Sequence, residues 1–362
     1  LSPRGREFVG LSPFSNEKTP SFTVSDEKGF YHCFSSGEHG SVFDFVMKTE
    51  NLSFVEAVKK LASYAGISVE DKVYKKEDII IQKRIKNLKD ILTIANNWFH
   101  NNLKRELKTN KFLQEIFKKR NFNENIINTF LLGYAPKRND TLYSYLKSKD
   151  FSSKDISDAG LIIISSKNNE IFDRFNNRII FPIYDYSSNV VGFGGKALSQ
   201  NQIGKYVNSP STDLFKKGDL LFGWQQSKNN PLQKNELFIV EGYTDVISMH
   251  MAGYKNVVAP LGTAITAKQI ICSWRISKEP IICMDGDEAG QKAAKRLPEL
   301  IFPHLKPGHS LNFVKLPFDE DPDSLISSNN LKDLNLSIDN KLSLVDYVWN
   351  NLISGKTFNT PE

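Results

Sequence analysis

Cysteine is scarce in this sequence, with three residues in 362: Cys33, Cys272 and Cys283. Two of them stand in apolar surroundings, IICSW and IICMD, and read as small buried hydrophobes. A disulfide framework is therefore not expected, and a reducing compartment is. Also missing is any uninterrupted apolar run near the roughly 18 residues that mark a bilayer span. The opening LSPRGREFVG lacks the layout of a signal peptide. No membrane partner and a cytoplasmic location are the expectations. There is no internal repeat and no long low-complexity tract, which leaves an ordinary packed protein. The chain starts at Leu1, inside what reads as a structural unit, and is expected to lack its natural N-terminus.

A chain of 362 residues suggests two to three domains of roughly 100–200 residues each. Hydrophobic residues at 40% and charged residues at 24% suit a soluble globular protein. The net charge of +6 is unevenly spread: residues 72–125 hold 14 Lys/Arg against 6 Asp/Glu, a local excess of +8. That excess fits a solvated helical surface, and equally a basic face that displaces counterions from a nucleic-acid backbone.

Residues 1–70 alternate short β-like runs (FVGLSPF, SFTVS, GFYHCF) with polar turns. Helices are predicted at Val42–Lys48 and Ser53–Tyr64, the second opened by a Ser53/Glu56 capping box and stopped by Gly66. Residues 71–150 carry helical spacing over Ile79–Leu107, Lys111–Lys119 and Asn123–Phe130. After a β-rich stretch at 160–230 come four apolar runs: Leu237–Val240, Asn256–Leu261, Pro280–Met284 and Leu311–Leu316. Helices are predicted between them at Thr244–Met251, Ala267–Trp274 and Glu288 to about Leu297. Wholly apolar strands alternating with helices indicate a parallel sheet covered on both faces.

Carboxylates gather where three of these strands end: Glu241 with Asp245 one turn on, Asp285-Gly286-Asp287, and Asp319, Asp321 and Asp323 in FDEDPDS. In open parallel sheets the ligand site lies beyond the carboxyl ends of the strands. If the strands are neighbours, five or more carboxylates meet on one rim. Such crowding is unfavourable unless a carboxylate is protonated or a cation binds. Oxygen-rich, cysteine-free surroundings favour Mg²⁺ or Mn²⁺ over zinc, and two or more such ions suit phosphoryl transfer. Each acid alone is better read as a cap or turn residue, as Asp287 before EAGQKAA is. Three clusters at successive strand ends are not.

VEGYTDV, LGTA, MDGDEAG and DPD together resemble the Toprim domain, over roughly residues 236–325. Bacterial primases, type IA and type II topoisomerases and some nucleases share it. The resemblance implies Glu241, Asp285 and Asp287 as metal ligands or the acid–base pair, completed by Asp245, Asp321 and Asp323. KKRNFNENIINTFLLGYAP, RIIFPIYDYSSNVVGFGGKAL and KYVNSPSTDLFKKGDLLFGW are similar to segments of the DnaG family of bacterial replicative primases. By that resemblance Arg120, Lys196, Lys205 and Lys217 face the template or the nucleoside triphosphate, with Tyr206 and Asn208 beside them. Taken alone Lys205 and Lys217 read as solvating, and Gly192–Lys196 as either a phosphate-approach turn or an ordinary hairpin turn. The family implies a DNA-directed RNA polymerase that makes RNA primers on single-stranded DNA from ribonucleoside triphosphates. A replicative helicase is its implied partner, though the helicase-interaction domain is expected to be absent here.

The expected architecture is multi-domain, α/β and α+β. It comprises a β-rich zinc-ribbon-like domain (1–70), a mixed α+β basic subdomain (71–235), a Toprim α/β domain with a parallel sheet (236–325), and the start of a helical subdomain (326–362). Residues 10–47 resemble the family's zinc ribbon, but its Cys, His, Cys and Cys ligand positions read Ser12, Ser15, Cys33 and Ser36. Structural zinc requires thiolates and imidazoles, so Zn²⁺ is not expected. Phe14, Phe22, Phe30, Tyr31 and Phe34 are then expected to hold the ribbon, with base stacking as their other reading. A topoisomerase needs a tyrosine nucleophile; Tyr243 is available but lies in no recognisable cleavage motif. A non-catalytic DNA-binding relative finds support only in the lost zinc ligands.

Overall fold

A computed structural model describes the chain apart from residues 51, 68–75, 138–140, 200–201, 203, 229–235, 263 and 355–362. The expected boundaries at 70/71 and 235/236, Lys72 and Lys75 of the basic stretch, and Thr263 of LGTA lie outside the described residues. Two compact units are present, Leu1–Ile79 and Ile80–Glu362.

In the first unit, β1 (Ser2–Arg4), β2 (Glu7–Gly10), β3 (Phe22–Ser25), β4 (Phe30–Cys33) and β5 (His39–Ser41) form one antiparallel sheet in sequence order. The first hairpin, β1–β2, turns at Gly5 with φ +66 and carries no apolar alternation that would have announced it. Alternation along β4 turns Tyr31 and Cys33 inward. Phe14, Phe22, Tyr31 and Phe45 pack with ring centroids 5.5–6.1 Å apart. Phe30 and Phe34 are exposed instead, so the five aromatics divide between core and surface. α1 (Val42–Glu50) and α2 (Phe54–Tyr64) follow, the latter opened by the Ser53/Glu56 capping box.

α3 (Lys76–Glu106) runs across the division at Ile79, and the second unit continues with α4 (Lys111–Lys119), α5 (Glu124–Thr129), β6 (Gly133–Ala135), α6 (Thr141–Lys147), α7 (Ser153–Asp158), β7 (Ile162–Ile164) and β8 (Ile171–Asp173). β9 (Arg178–Tyr184), β10 (Val190–Ala197), β11 (Tyr206–Asn208) and α8 (Trp224–Ser227) complete this half. An antiparallel sheet runs β11-β10-β9-β6, with β7–β8 a separate hairpin. Leu88, Ile91, Leu92, Ala95 and Phe99 form the helical stripe by which α3 covers it, against Ile180 and Phe193. The Gly192–Lys196 run is no turn of either kind: it lies inside β10. A Cβ at Gly194 would stand 2.6 Å from the Tyr243 ring, so the absent side chain is what lets the aromatic seat there.

Next come β12 (Phe238–Ile239), α9 (Tyr243–Met251), β13 (Val257–Val258), α10 (Ala267–Ser273), β14 (Ile281–Ile282), α11 (Glu288–Ile301) and β15 (Asn312–Phe313). α12 (Pro322–Ser327), α13 (Leu331–Asp339), β16 (Leu342–Ser343) and α14 (Leu344–Ile353) follow. The sheet order is β13-β12-β14-β15-β16, parallel except for β16. α11 runs past the expected stop near Leu297. Pro298 costs it one backbone donor, while the next turn buries Ile301 completely. Ile179, Phe181 and Ile183 of β9 share a core with Val240, Tyr243 and Val246, so the antiparallel and parallel sheets are packed together.

Candidate active site

Neighbouring parallel strands fix the acids. β12 pairs with β14 in the register Phe238↔Ile281 and Ile239↔Ile282, so Glu241 and Asp285 leave the sheet side by side. The Asp285 backbone N–H donates to Glu241 Oε1 at 3.0 Å. β15 adjoins β14, and the chain beyond it carries Asp321 and Asp323. Asp245, in the first turn of α9, is 6% exposed and accepts from the Gly242 N–H at 2.9 Å. Asp287 and Asp321 cap α11 and α12: their Oδ1 atoms accept from Gly290 N at 2.7 Å and Ser324 N at 2.6 Å. Capping and convergence turn out to be compatible roles for one side chain.

Crowding registers in the proton affinities. Burial, then the charges of Glu241, Asp245, Asp321 and Asp287, push Asp285 up to about 8. Burial, with Asp321 and Asp323, pushes Asp245 up to about 7. Glu241 is raised by burial against the opposing Asp285 N–H bond. Asp285 Oδ1 is buried without a hydrogen-bond partner. Among the described residues no three His, Cys, Asp or Glu side chains already form a cage for an ion. Mg²⁺ keeps several waters and binds through one or two carboxylates, so an orphaned carboxylate oxygen in an all-oxygen setting fits it.

A carboxylate raised on folding stabilises the fold below its unfolded value and loses that contribution as pH climbs through the folded one. For Asp285 the window runs from about 4, the free aspartate value, to about 8. Thermal melts in chelator should therefore fall across this range, and added Mg²⁺ should restore most at the alkaline end. Asp285→Asn should flatten the profile; a wild-type profile that is already flat would contradict the crowding.

Asp323 stands apart. Its Oδ2 pairs with Arg120 Nη1 at 2.8 Å and its Oδ1 accepts from Ser248 Oγ at 2.5 Å. Arg120, expected to face nucleic acid, here closes the end of α4 on that carboxylate. Ser248 escaped the sequence reading, although it lies three residues after Asp245 on one helix face. A cleft of about 930 Å³ is lined by Arg120, Lys196, Lys205, Asp321 and Asp323 among others. Lys196 lies 5.2 Å over the Tyr206 ring, and burial with Arg120 nearby pulls its ammonium down to about 8. Asn208 is spent on structure: it accepts from Tyr243 Oη at 2.7 Å and donates to Leu261 O at 2.8 Å. Lys217 lies outside the cleft, in a short 3₁₀ turn whose carbonyl accepts from Gln269 Nε2 at 3.1 Å.

In the first unit three of the four family ligand positions are hydroxyls, and the fourth is the thiol of Cys33. Cys33 Sγ donates to Ser12 Oγ at 3.0 Å and lies 3.3 Å from Ser35 Oγ. Ser35 in turn bonds Ser15 at 2.7 Å and Ser21 at 2.8 Å. Glu17 accepts from Ser12 N, Ser21 N and Ser21 Oγ at 2.7, 3.1 and 2.6 Å. Burial would raise the Cys33 thiol, but bonds with Ser12, Ser35 and Ser36 bring it down to about 6. One thiol among hydroxyls does not match the thiolate and imidazole set of structural zinc. Glu17, Ser21 and Ser35 were not singled out in the sequence, where serines carry no ligand signal.

Family models match three successive stretches: the CHC2 zinc finger over residues 1–77, the N-terminal domain of the DNA primase catalytic core over 98–228, and the Toprim domain over 235–314. DNA primase of Clostridium acetobutylicum is 39% identical over 350 residues, 96% of this chain and 56% of the relative. That of Escherichia coli K12 is 34% identical over 362 residues, 100% of this chain and 62% of the relative. The chain thus spans about 56–62% of the length of these curated relatives. A structure of the DnaG primase catalytic domain bound to ssDNA aligns with TM-score 0.70 and 31% identity, covering 77% of this chain and 86% of that one. The zinc-binding and RNA polymerase domains of Aquifex aeolicus primase align with TM-score 0.63 and 30% identity, covering 95% and 81%. Among the described residues no helix is long and apolar enough to cross a membrane. With the three domain types in this order and the acids on adjoining strand ends, the chain belongs to the DnaG family of bacterial DNA primases.

Proposed function

We propose that this chain carries the polymerising part of a DNA primase, joining ribonucleoside triphosphates into RNA primers on single-stranded DNA in the cytoplasm. The observation that carries this reading is the orphaned Asp285 Oδ1 beside Glu241 on adjacent parallel strands, a rim whose charge calls for a cation. Glu241, Asp285 and Asp287 would hold Mg²⁺ or Mn²⁺, with Asp245 and Asp321 adding negative charge behind them. Bound there, divalent ions supply charge neutralisation for the attacking and leaving oxygens of a phosphoryl transfer. In that transfer the 3′-hydroxyl of one ribonucleotide attacks the α-phosphate of the next and pyrophosphate leaves. Lys196 and Lys205 would grip phosphates across the cleft, and Tyr206 offers a ring beside them. Arg120 and Asp323 hold each other, which fixes the cleft wall rather than leaving either free.

Family models over 1–77, 98–228 and 235–314 support domains near 1–70, 71–235 and 236–325, while the start of a helical subdomain at 326–362 rests on the resemblance alone. A helicase partner is supported by the family alone. The test is ribonucleotide incorporation on a single-stranded template with and without Mg²⁺ or Mn²⁺. Template-dependent, metal-dependent product supports the reading; a covalent tyrosyl–DNA adduct instead would favour a topoisomerase.

The first unit, on this reading, folds without zinc because Glu17 and the serines satisfy one another around Cys33. Metal analysis should find well under one zinc per chain, and adding zinc to chelator-treated protein should leave its thermal melt unchanged. Glu17→Gln, which removes the anion collecting three donors, should speed the reaction of Cys33 with a thiol reagent about tenfold or more. One tightly held zinc per chain would overturn the metal-free unit; an unchanged thiol rate would overturn only the role of Glu17.

A further inference from the structure

We propose that a second phosphate-binding cleft lies at the β6 edge of the antiparallel sheet and takes a backbone phosphate of single-stranded nucleic acid. The cleft has a volume of about 450 Å³ and is lined by Trp98, Asn102, Arg105 and Glu106 of α3 with Tyr134, Pro136 and Lys137. β6 and β11 are opposite edges of a four-stranded sheet, so it stands about three strand spacings, ~14 Å, from the strand that carries Tyr206.

Asn102 carries the argument. It is 4% exposed, and its Nδ2 has no hydrogen-bond partner. Its Oδ1 accepts from Arg105 Nη2 at 2.7 Å, which fixes the amide and leaves only the donor end unmatched. Buried amide donors are seldom left unpaired, and one beside an open cleft marks where an acceptor belongs. Around it stand two cationic donors, the guanidinium of Arg105 and the exposed ammonium of Lys137. Tyr134, itself buried, adds a phenol. Glu106 is the one acid, and it lies 3.8 Å from Arg105, whose other bond goes to Asn102. A lining of donors and cations suits an acceptor-only anion, and phosphate is the commonest such group. Trp98 adds an indole wall, which a free phosphate would not use and a nucleotide unit would. The occupant that satisfies both features is a strand whose phosphate meets Asn102, Arg105 and Lys137 while sugar or base lies against Trp98.

Asn102→Asp in the full chain is the test, because it replaces the unmatched donor by an acceptor and keeps the partner of Arg105. Fluorescence anisotropy with a labelled oligo-dT should show about tenfold weaker binding at low salt. The slope of log K against log salt should flatten by roughly one contact. Lys137→Ala, at an exposed position away from the core, guards against a folding artefact and should flatten the slope equally. Wild-type affinity and slope in both variants, with no protection of Trp98 from quenching by inorganic phosphate, would overturn the cleft. Inorganic phosphate that protects Trp98 from quenching in wild type but not in Asn102→Asp, with oligo-dT binding unaffected by either variant, would overturn the strand as occupant.

Discussion

Asp285→Asn should lower template-directed ribonucleotide incorporation by about three orders of magnitude while leaving affinity for single-stranded DNA within about twofold. The substitution keeps shape and removes charge at the carboxylate whose Oδ1 is buried and unpartnered. Several kcal/mol of charge stabilisation at a transferring phosphoryl group is at stake, and each 1.36 kcal/mol is about tenfold in rate. DNA affinity should survive because the cations proposed to grip phosphates, Lys196 and Lys205, line the cleft and are left intact by the substitution. Incorporation measured across a Mg²⁺ titration, with template affinity measured in parallel, separates the two. Equal loss of both would mean that Asp285 holds up the fold rather than serving the chemistry. Asp323→Asn should behave differently, since both its oxygens already have protein donors, Arg120 and Ser248. A loss there that tracks thermal stability rather than Mg²⁺ concentration fits that placement.

The parallel sheet was legible because its cues are local: apolar runs of four to six residues, helical spacing between them, and acids at the ends of three of the runs. Strand adjacency was not legible, and the rim depends on β12 lying between β13 and β14. Glycine misled for a related reason. Four glycine or phenylalanine positions in a row read as a turn, yet Gly194 serves a ring brought in from Tyr243 by the fold. Arg120 and Asp323 lie 203 residues apart, and no spacing rule reaches that far. The hydroxyl cluster around Cys33 is legible only as a loss, because serine has no signature for mutual satisfaction. The unmatched amide of Asn102 is invisible for the same reason: the sequence gives the residue, and only packing leaves its donor alone.

Gly290→Ala should be damaging to within about tenfold of removing the Asp285 carboxylate, although alanine is the better helix former by roughly 1 kcal/mol. Gly290 sits in the first turn of α11, where its N–H donates to Asp287 Oδ1 at 2.7 Å. A Cβ there would lie 2.3 Å from the Asp285 carbonyl oxygen and 2.6 Å from Glu241 Oε1. The backbone oxygen cannot move without carrying Asp285 with it, and Glu241 cannot stay bonded to the Asp285 N–H if its oxygen is displaced. One methyl group therefore disturbs three of the acids at once. Misplacement of about 1 Å at a reacting centre costs on the order of 10²-fold in rate. The expected result is that loss in incorporation with helix content retained, together with a Mg²⁺ midpoint shifted upward because the oxygens no longer converge. Gly290→Ala with wild-type rate and metal dependence would show that Glu241 and Asp285 need not be held where this fold puts them. The pairing of their strands would then no longer account for the site.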